Sequence, residues 1–361
     1  MPSRSSTSRR SEVAFHPLKV AGVTRLTDDA VAVTFDVPPA LAPDFAFKPG
    51  QSLTLRRSVE GRDERRSYSI CAAAGTAPRV GVRLVPDGLF SSWLVNEVRA
   101  GDTIEVATPT GSFTPDLSEG GHHVLIAAGS GITPVLSIVS SLLATPDATV
   151  TVLYGNRRTD TVMFADELAD LKDRAPSRLE LIHVLSREPR EAELFTGRLD
   201  VPKLRSLFSS LVPVSSVDHW WLCGPFEMVT GAQELLASLE VPRARIHQEL
   251  FYVDTPPAPV EHLDPAVAGE SSEVRVVLDG RSSSMTLPRS TSVLDGAQKF
   301  RPDLPFACKG GVCGTCRARV TEGKVDLRRN FALEEAEVEA GFVLTCQSYP
   351  VSETITVDFD A

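Results

Sequence analysis

The chain has 361 residues, room for two or three domains at roughly 100–200 residues each. Hydrophobic residues at 42% and charged residues at 23% exclude a disordered chain. The balance of 37 Lys and Arg against 47 Asp and Glu gives a net charge of −10 and excludes a general nucleic-acid binder, and no apolar run reaches the ~18 residues of a membrane helix.

Residues 1–12 are basic and Ser-rich without an apolar h-region, so a disordered tail is expected there and not a secretory signal. From 13 to 115, the segments VAVTFDV, SLTLRRS, RSYSICA and VGVRLV are β-branched or alternating, with turns at KPGQ, PDG and TPTGS. This predicts a small antiparallel β-barrel. One helix is expected at SSWLVNEV, with Ser91 and Ser92 as its N-cap. At His122 the texture changes. HHVLIAAG reads as a strand buried on both faces, and a Gly-rich turn and the helix PVLSIVSSLL follow it. The strands TVTVLYG, LELIHVLS and HWWLCG then alternate with the helices FADELADLKDR, VPKLRSLF and FEMVTGAQELLASL, which predicts a doubly wound α/β domain over 116–254. Residues 255–272, rich in Pro, Ala and acid, read as an extended linker. From 273 to 361, the hairpin VRVVLDGRSSSMTL, the helix VLDGAQKF, a cysteine loop and the strand TITVDF predict a small α+β unit.

Four of the six cysteines fall in that last unit. Cys308, Cys313 and Cys316 stand as C-x4-C-x2-C, and Cys346 follows after 29 residues. This spacing suits a [2Fe–2S] cluster held by four thiolates, with Gly310, Gly311 and Gly314 letting the backbone turn its N–H groups toward sulfur. A zinc site would more often pair two short Cys-x2-Cys arms. Clustered thiols imply a reducing compartment, and the cytoplasm is expected. Cys71 reads as a buried structural thiol and Trp220 and Trp221 as core. Adjacent His122 and His123 point to opposite strand faces, so they do not form a ligand pair.

Two motifs in the barrel suit a flavin dinucleotide. In Arg66-Ser67-Tyr68-Ser69 a guanidinium can pair with pyrophosphate, a ring can lie on an isoalloxazine, and a hydroxyl can hydrogen-bond the flavin. Gly88 runs into a helix N-terminus with Ser91 and Ser92, an anion-binding arrangement. The α/β domain adds Gly129-Ser130-Gly131-Ile132-Thr133-Pro134 between strand and helix, with Pro134 where a third glycine would stand. Cys223-Gly224-Pro225 ends a strand on the ligand-binding edge of the sheet. The second strand runs into Asn156-Arg157-Arg158 where an NAD site would offer an acid, and Ser186-Arg187 ends the next strand. Hydroxyl and guanidinium groups suit a 2′-phosphate, so NADPH is expected over NADH. Glu334, Glu335, Glu337 and Glu339 form an acidic run that reads either as a steering surface or as a solvated helix face.

In this order the elements resemble the ferredoxin–NADP reductase superfamily fused to a plant-type ferredoxin, over 13–361. Within it, FHPLKVAGV, YGNRRTDTVMFADELADLKD, LSREP and FACKGGVCGTC resemble the reductases of ring phenylacetyl-CoA epoxidases, which serve phenylacetate degradation. The 3-ketosteroid hydroxylase reductases share the architecture. The resemblance implies an NAD(P)H-dependent flavin and iron–sulfur oxidoreductase that passes electrons to an oxygenase, with a β-grasp fold for the last unit. It implies that Arg66, Ser67, Tyr68 and Ser69 hold the FMN half of FAD, and that Gly88, Ser91 and Ser92 hold its pyrophosphate. Gly129, Gly131, Thr133 and Pro134 would bind the nicotinamide nucleotide, with Gly224 beside them and Arg157, Ser186 and Arg187 on its phosphate. Ser69, Thr133, Cys223 and Phe251 would lie at the reacting rings, where Gln248-Glu249-Leu250-Phe251 occupies the place of the superfamily's acid and aromatic. A stand-alone oxidase, an aromatic-ring hydroxylase reductase and a redox-sensing protein with little turnover are the alternatives.

Overall fold

The computed structural model describes residues 14–59, 62–86, 88–251, 271–333 and 335–361. The expected tail lies outside them, as does the expected linker up to residue 270. The chain divides into two compact units, Phe15–Val253 and Asp254–Ala361, the second with Met1–Ala14.

The first unit begins with a six-stranded antiparallel sheet. Its strands are β1 (Phe15–Thr27), β2 (Ala30–Asp36), β3 (Ser52–Val59), β4 (Arg62–Ser69), β5 (Arg79–Arg83) and β6 (Thr103–Ala107), in the order β4-β3-β6-β1-β2-β5. A bridge between Ile70 and Val80 brings the two edges together into a barrel. Alternating residues such as Leu53, Leu55, Val31, Val33 and Phe35 fill its interior. The one helix, α1 (Leu89–Asn96), is capped by Gly88 and not by the expected serine pair. Ser91 lies within the first turn, where its hydroxyl accepts from Val85 N at 3.1 Å and donates to Gly88 O at 3.2 Å.

A five-stranded parallel sheet completes the unit: β7 (Gly121–Ala128), β8 (Ala148–Asn156), β9 (Leu179–Leu185), β10 (His219–Gly224) and β11 (Ile246–Leu250), in the order β11-β10-β7-β8-β9. The helices α2 (Ile132–Leu143), α3 (Ala165–Arg174), α4 (Val201–Ser210) and α5 (Phe226–Ser238) connect them. Sheet residues such as Leu125, Val152, Trp220 and Leu222 are wholly buried, as a sheet covered on both faces requires.

At the amino ends of these strands, His123, His219, His247 and Trp221 stack across neighbouring strands. The rings of Trp221 and His247 lie 4.1 Å apart and those of His123 and His219 4.9 Å apart. Trp221 Nε1 donates to His123 Nδ1 at 3.2 Å, which requires that nitrogen to be unprotonated. Burial, and then the His219 ring, lowers His123 to about 4, and burial followed by His219 and Arg243 lowers His247 to about 4. These bases stay neutral in the folded chain over a range where an unfolded histidine takes a proton. Their contribution is therefore present above pH ~6.5 and lost as pH falls toward 4. The melting temperature is expected to drop between pH 7 and pH 5, and to drop less in His247→Gln; equal drops would contradict this origin.

The second unit is a five-stranded mixed sheet packed on a short helix. Its elements are β12 (Ser271–Leu278), β13 (Arg281–Pro288), α6 (Val293–Ala297), β14 (Arg317–Glu322), β15 (Val325–Leu327), α7 (Glu335–Glu339), β16 (Phe342–Leu344), β17 (Ser348–Pro350) and β18 (Thr354–Asp358). The sheet runs β13-β12-β18-β14-β16, with β12 and β18 parallel and the short pair β15-β17 apart. Asp279 and Gly280 turn the first hairpin with φ of 54° and 69°, as a tight two-residue connection needs. Strand β12 opens at Ser271, two residues inside the stretch read as linker.

Candidate flavin, nucleotide and cluster sites

Three residues distant in sequence meet at the carboxyl edge of the parallel sheet. Cys223, near the end of β10, stands opposite Glu249 of β11 in the strand register. Ser69, the last residue of β4, donates its hydroxyl to Glu249 Oε2 at 2.9 Å. Burial pushes the Glu249 carboxyl up to about 7, against the lowering effect of the Ser69 hydroxyl. Burial, and then the Glu249 charge, raises the Cys223 thiol well above its ordinary range, so it is a neutral thiol and not a nucleophile. Phe251, just past β11, is half-buried against the core of the nucleotide sheet.

The glycine turn is built for close approach. Gly129 has φ +55°, and the Tyr154 hydroxyl donates to its carbonyl at 3.0 Å. At Gly131 a Cβ would lie 2.1 Å from Cys223 O, so this glycine is forced by packing on β10. At Gly224 it would lie 2.6 Å from Met228 Cε. The Thr133 hydroxyl donates to Ser130 O at 3.0 Å, and Thr133 and Pro134 are buried in the first turn of α2. The turn thereby places the amino end of α2 beside Cys223, a setting suited to phosphate.

At the ends of β8 and β9, Ser186 N donates to Asn156 O at 2.9 Å and Arg187 N to Arg157 O at 2.8 Å. Both arginine side chains are exposed, and neither has an ion-pair partner among the described residues. Their neighbours are engaged: Arg158 pairs with Asp160 at 2.6 Å, and Glu188 accepts from Thr159 N at 2.8 Å.

On the barrel, Arg66 is half-exposed and rests 3.2 Å from the Glu64 carboxylate. Tyr68 is half-buried beside Phe90, with ring centroids 6.1 Å apart. The Ser67 hydroxyl is 3.0 Å from Thr54 Oγ1, so it is occupied within the sheet. Gly88 leaves space that a Cβ would close against Ser91 Oγ at 2.7 Å. Ser92 is half-buried in the same first turn of α1, and its N–H donates to Gly88 O at 2.9 Å.

In the second unit the four clustered thiols form two pairs, Cys308 with Cys313 and Cys316 with Cys346. The β14–β16 pairing carries the second pair together, since Arg317 stands opposite Leu344. Among the described residues no three His, Cys, Asp or Glu gather around a point as one ion requires. Four thiols in two pairs suit the donor set of a two-iron cluster, two per iron. Hydrogen bonding from Cys313, then from the N–H groups of Val312, Gly310 and Cys313, lowers the Cys308 thiol against its burial. Gly311 and Gly314 have φ of 81° and 67°, whereas the third left-handed residue is Lys309, at 53°. Its ammonium is held by Asp295 Oδ1 at 2.8 Å and Gln298 Oε1 at 2.9 Å. Gly310 does not use the freedom expected of it and serves through its N–H, 3.3 Å from Cys308 Sγ. Of the acidic run, Glu334 lies outside the described residues, and Glu337 pairs with Arg317 at 2.9 Å.

Three families match the chain in sequence: an oxidoreductase FAD-binding domain over 17–114, an oxidoreductase NAD-binding domain over 125–234, and a 2Fe-2S iron-sulfur cluster binding domain over 276–351. One subunit of the 1,2-phenylacetyl-CoA epoxidase of Escherichia coli (strain K12) is 42% identical over 96% of this chain and 98% of its own length. The chain belongs to the ferredoxin–NADP reductase superfamily, in the branch fused to a ferredoxin. The ferredoxin reductase component of 3-ketosteroid-9-alpha-monooxygenase from Rhodococcus rhodochrous is 35% identical over 95% of the chain and 96% of its own. Phthalate dioxygenase reductase, a modular structure for electron transfer from pyridine nucleotides to [2Fe-2S], shares the fold with a TM-score of 0.62 at 24% identity, covering 96% of this chain and 98% of its own. This reductase is thus an NAD(P)H-dependent oxidoreductase whose cofactors are FAD and a [2Fe–2S] cluster, and no helix among its described residues is long and apolar enough to cross a membrane.

Sequence reasoning about the reductase missed two residues at these sites. Arg83 on β5 reaches over the glycine turn, where a Cβ on Gly129 would stand 3.3 Å from its Nη1, and donates to Thr161 O at 2.5 Å. Gly81 on the same strand lies against Thr133 and Phe164. Only its place between two valines in VGVRLV could have marked it.

Proposed function

We propose that this reductase is the NADPH-dependent electron-supply component of a multicomponent oxygenase, and that the oxygenase is a phenylacetyl-CoA epoxidase. The observation that carries the reading is the meeting of Ser69, Cys223 and Glu249 at the sheet edge, in a chain that also holds two cysteine pairs. The 42% identity over nearly the whole length supports the choice of oxygenase. Clustered thiols support a cytoplasmic setting.

Bound FAD would supply hydride acceptance from NADPH, and a bound [2Fe–2S] cluster would supply one-electron transfer onward. The chain's own residues bind and orient. Arg66 and the free N–H groups at the start of α1 receive the FAD pyrophosphate, with Gly88 keeping that entrance open. Tyr68 and Ser69 would hold the flavin ring system. The glycine turn and Thr133 would receive the nicotinamide nucleotide beside Cys223, whose carbonyl packs on Gly131. The neutral Cys223 thiol places no charge there, and the Glu249 carboxyl, raised to about 7, gains and loses its proton beside Ser69 Oγ around neutral pH. Phe251 closes the carboxyl edge. Half-buried Cys308 and Cys313 form the outer pair, so the loop from Lys309 to Thr315 is the face offered to the oxygenase.

Arg157, Ser186 and Arg187 are assigned to the 2′-phosphate, supported by their adjacency and by the exposure of both guanidinium groups. NADPH is expected to be preferred, and Arg187→Ala to weaken NADPH binding about tenfold, the scale of one charge-assisted pair, with NADH nearly unaffected. Titration of both nucleotides against wild type and variant checks this. Equal losses for both would contradict it. The choice of oxygenase is tested by coupling to a purified phenylacetyl-CoA epoxidase and to a 3-ketosteroid monooxygenase, with product expected only from the first.

A further inference from the structure

Within the first unit, the barrel and the nucleotide sheet meet along a strip of very small residues. On β2, Val31, Val33 and Phe35 turn into the barrel, while Ala30 and Ala32 turn outward into the nucleotide core. Ala32 stands opposite Gly81 of β5. A Cβ at Gly81 would lie 2.6 Å from Thr133 Cγ2 and 2.9 Å from Phe164 Cζ. The φ of Gly81 is not in the left-handed region, so only this close approach demands glycine. The seam is tied on both sides of the contact. Arg79 of β5 donates to both Glu167 carboxylate oxygens on α3, at 2.9 and 2.6 Å. Ser137 of α2 donates to Ala72 O at 2.6 Å, and Ser141 accepts from Ala74 N at 3.0 Å.

We propose that Gly81 is a positioning residue for hydride transfer: its missing side chain sets the depth at which Thr133 seats the nucleotide turn on the flavin barrel, and the Arg79–Glu167 pair holds that seat. The proposal rests on the reading that residues 129–134 carry the nucleotide. A methyl at Gly81 must push Thr133 away by roughly 1 Å to reach ordinary van der Waals separation. Hydride transfer needs its reacting atoms in near-contact, and a displacement of that size is enough to slow such a step. The arginines assigned to the 2′-phosphate lie at the ends of β8 and β9, away from Gly81, so their share of the nucleotide's affinity is kept and the rate is expected to fall more than the affinity.

The test is stopped-flow reduction of the FAD- and cluster-loaded full chain by NADPH. Gly81→Ala is expected to lower the limiting rate of flavin reduction about tenfold, with nucleotide affinity changed less than about twofold. Gly81→Ala combined with Thr133→Ser, which removes the colliding methyl and keeps the hydroxyl, is expected to return most of the rate seen in Thr133→Ser alone. A wild-type limiting rate in Gly81→Ala, or a loss that the second substitution does not relieve, overturns the proposal. Should Gly81→Ala not load FAD, Glu167→Gln reads the same seam: a lowered limiting rate at unchanged affinity supports the proposal, and a wild-type rate overturns it. The underlying reading is checked by Gly129→Ala, where unchanged NADPH affinity overturns the assignment of the turn whatever the wedge does.

Discussion

Replacing Cys313 or Cys346 with serine is expected to abolish electron delivery to the oxygenase while NADPH still reduces the flavin at the wild-type rate. Each thiol belongs to a different pair, so either change strips one iron of half its protein ligands. The flavin and nucleotide residues belong to the other compact unit, where Ser69 and Glu249 bond to each other. Iron and sulfide content should fall while bound FAD stays stoichiometric. Reduction of a small-molecule acceptor directly from the flavin should continue. If flavin reduction collapsed together with iron content, the division of labour between the units would be wrong.

Glu249→Gln carries the second large effect. Burial raises this carboxyl from its ordinary 4.5 to about 7, so the folded chain holds the proton more tightly than the unfolded chain does. For an acid raised in this way, stability is fully present at low pH and is lost as pH rises from about 4.5 through 7. The ionised carboxylate at pH 8 therefore costs on the order of 3 kcal/mol, which the neutral amide removes. The variant is expected to be more stable than wild type at pH 8 and close to it at pH 5, measured as melting temperature of the FAD-loaded protein. The rate of flavin reduction in wild type should fall as pH rises through 7, because a negative charge then forms beside Ser69 and Cys223. In Glu249→Gln that inflection should vanish. A wild-type profile in the variant would remove Glu249 from any protonic role.

What was legible in the sequence was local. C-x4-C-x2-C, the turn 129–134 and the strand ending in Cys223 carry their chemistry within a few residues, and the alternation of strands and helices carries the architecture. The strands β1 and β6 were not singled out: β1 shifts register between Val20 and Gly22, which breaks its alternation, and β6 is only five residues long. Glu249 sits in IHQEL, where no apolar period marks a strand, and its position comes from register with β10. Gly131 resembles a phosphate glycine in sequence, yet the Cys223 carbonyl demands it. Lys309 in a left-handed conformation was hidden among three glycines, because its stabilising partners Asp295 and Gln298 lie on and just beyond a helix 11–14 residues upstream. Non-local contacts of this kind leave no mark on composition or spacing.

The most direct measurement is anaerobic titration of the holoprotein with NADPH, following flavin absorbance and the paramagnetic signal of the reduced [2Fe–2S] cluster together. The account predicts that the flavin bleaches and the cluster signal grows in the same sample, and that Cys346→Ser keeps the first change and loses the second. A flavin that bleaches fully in the wild type while the cluster stays oxidised would contradict it.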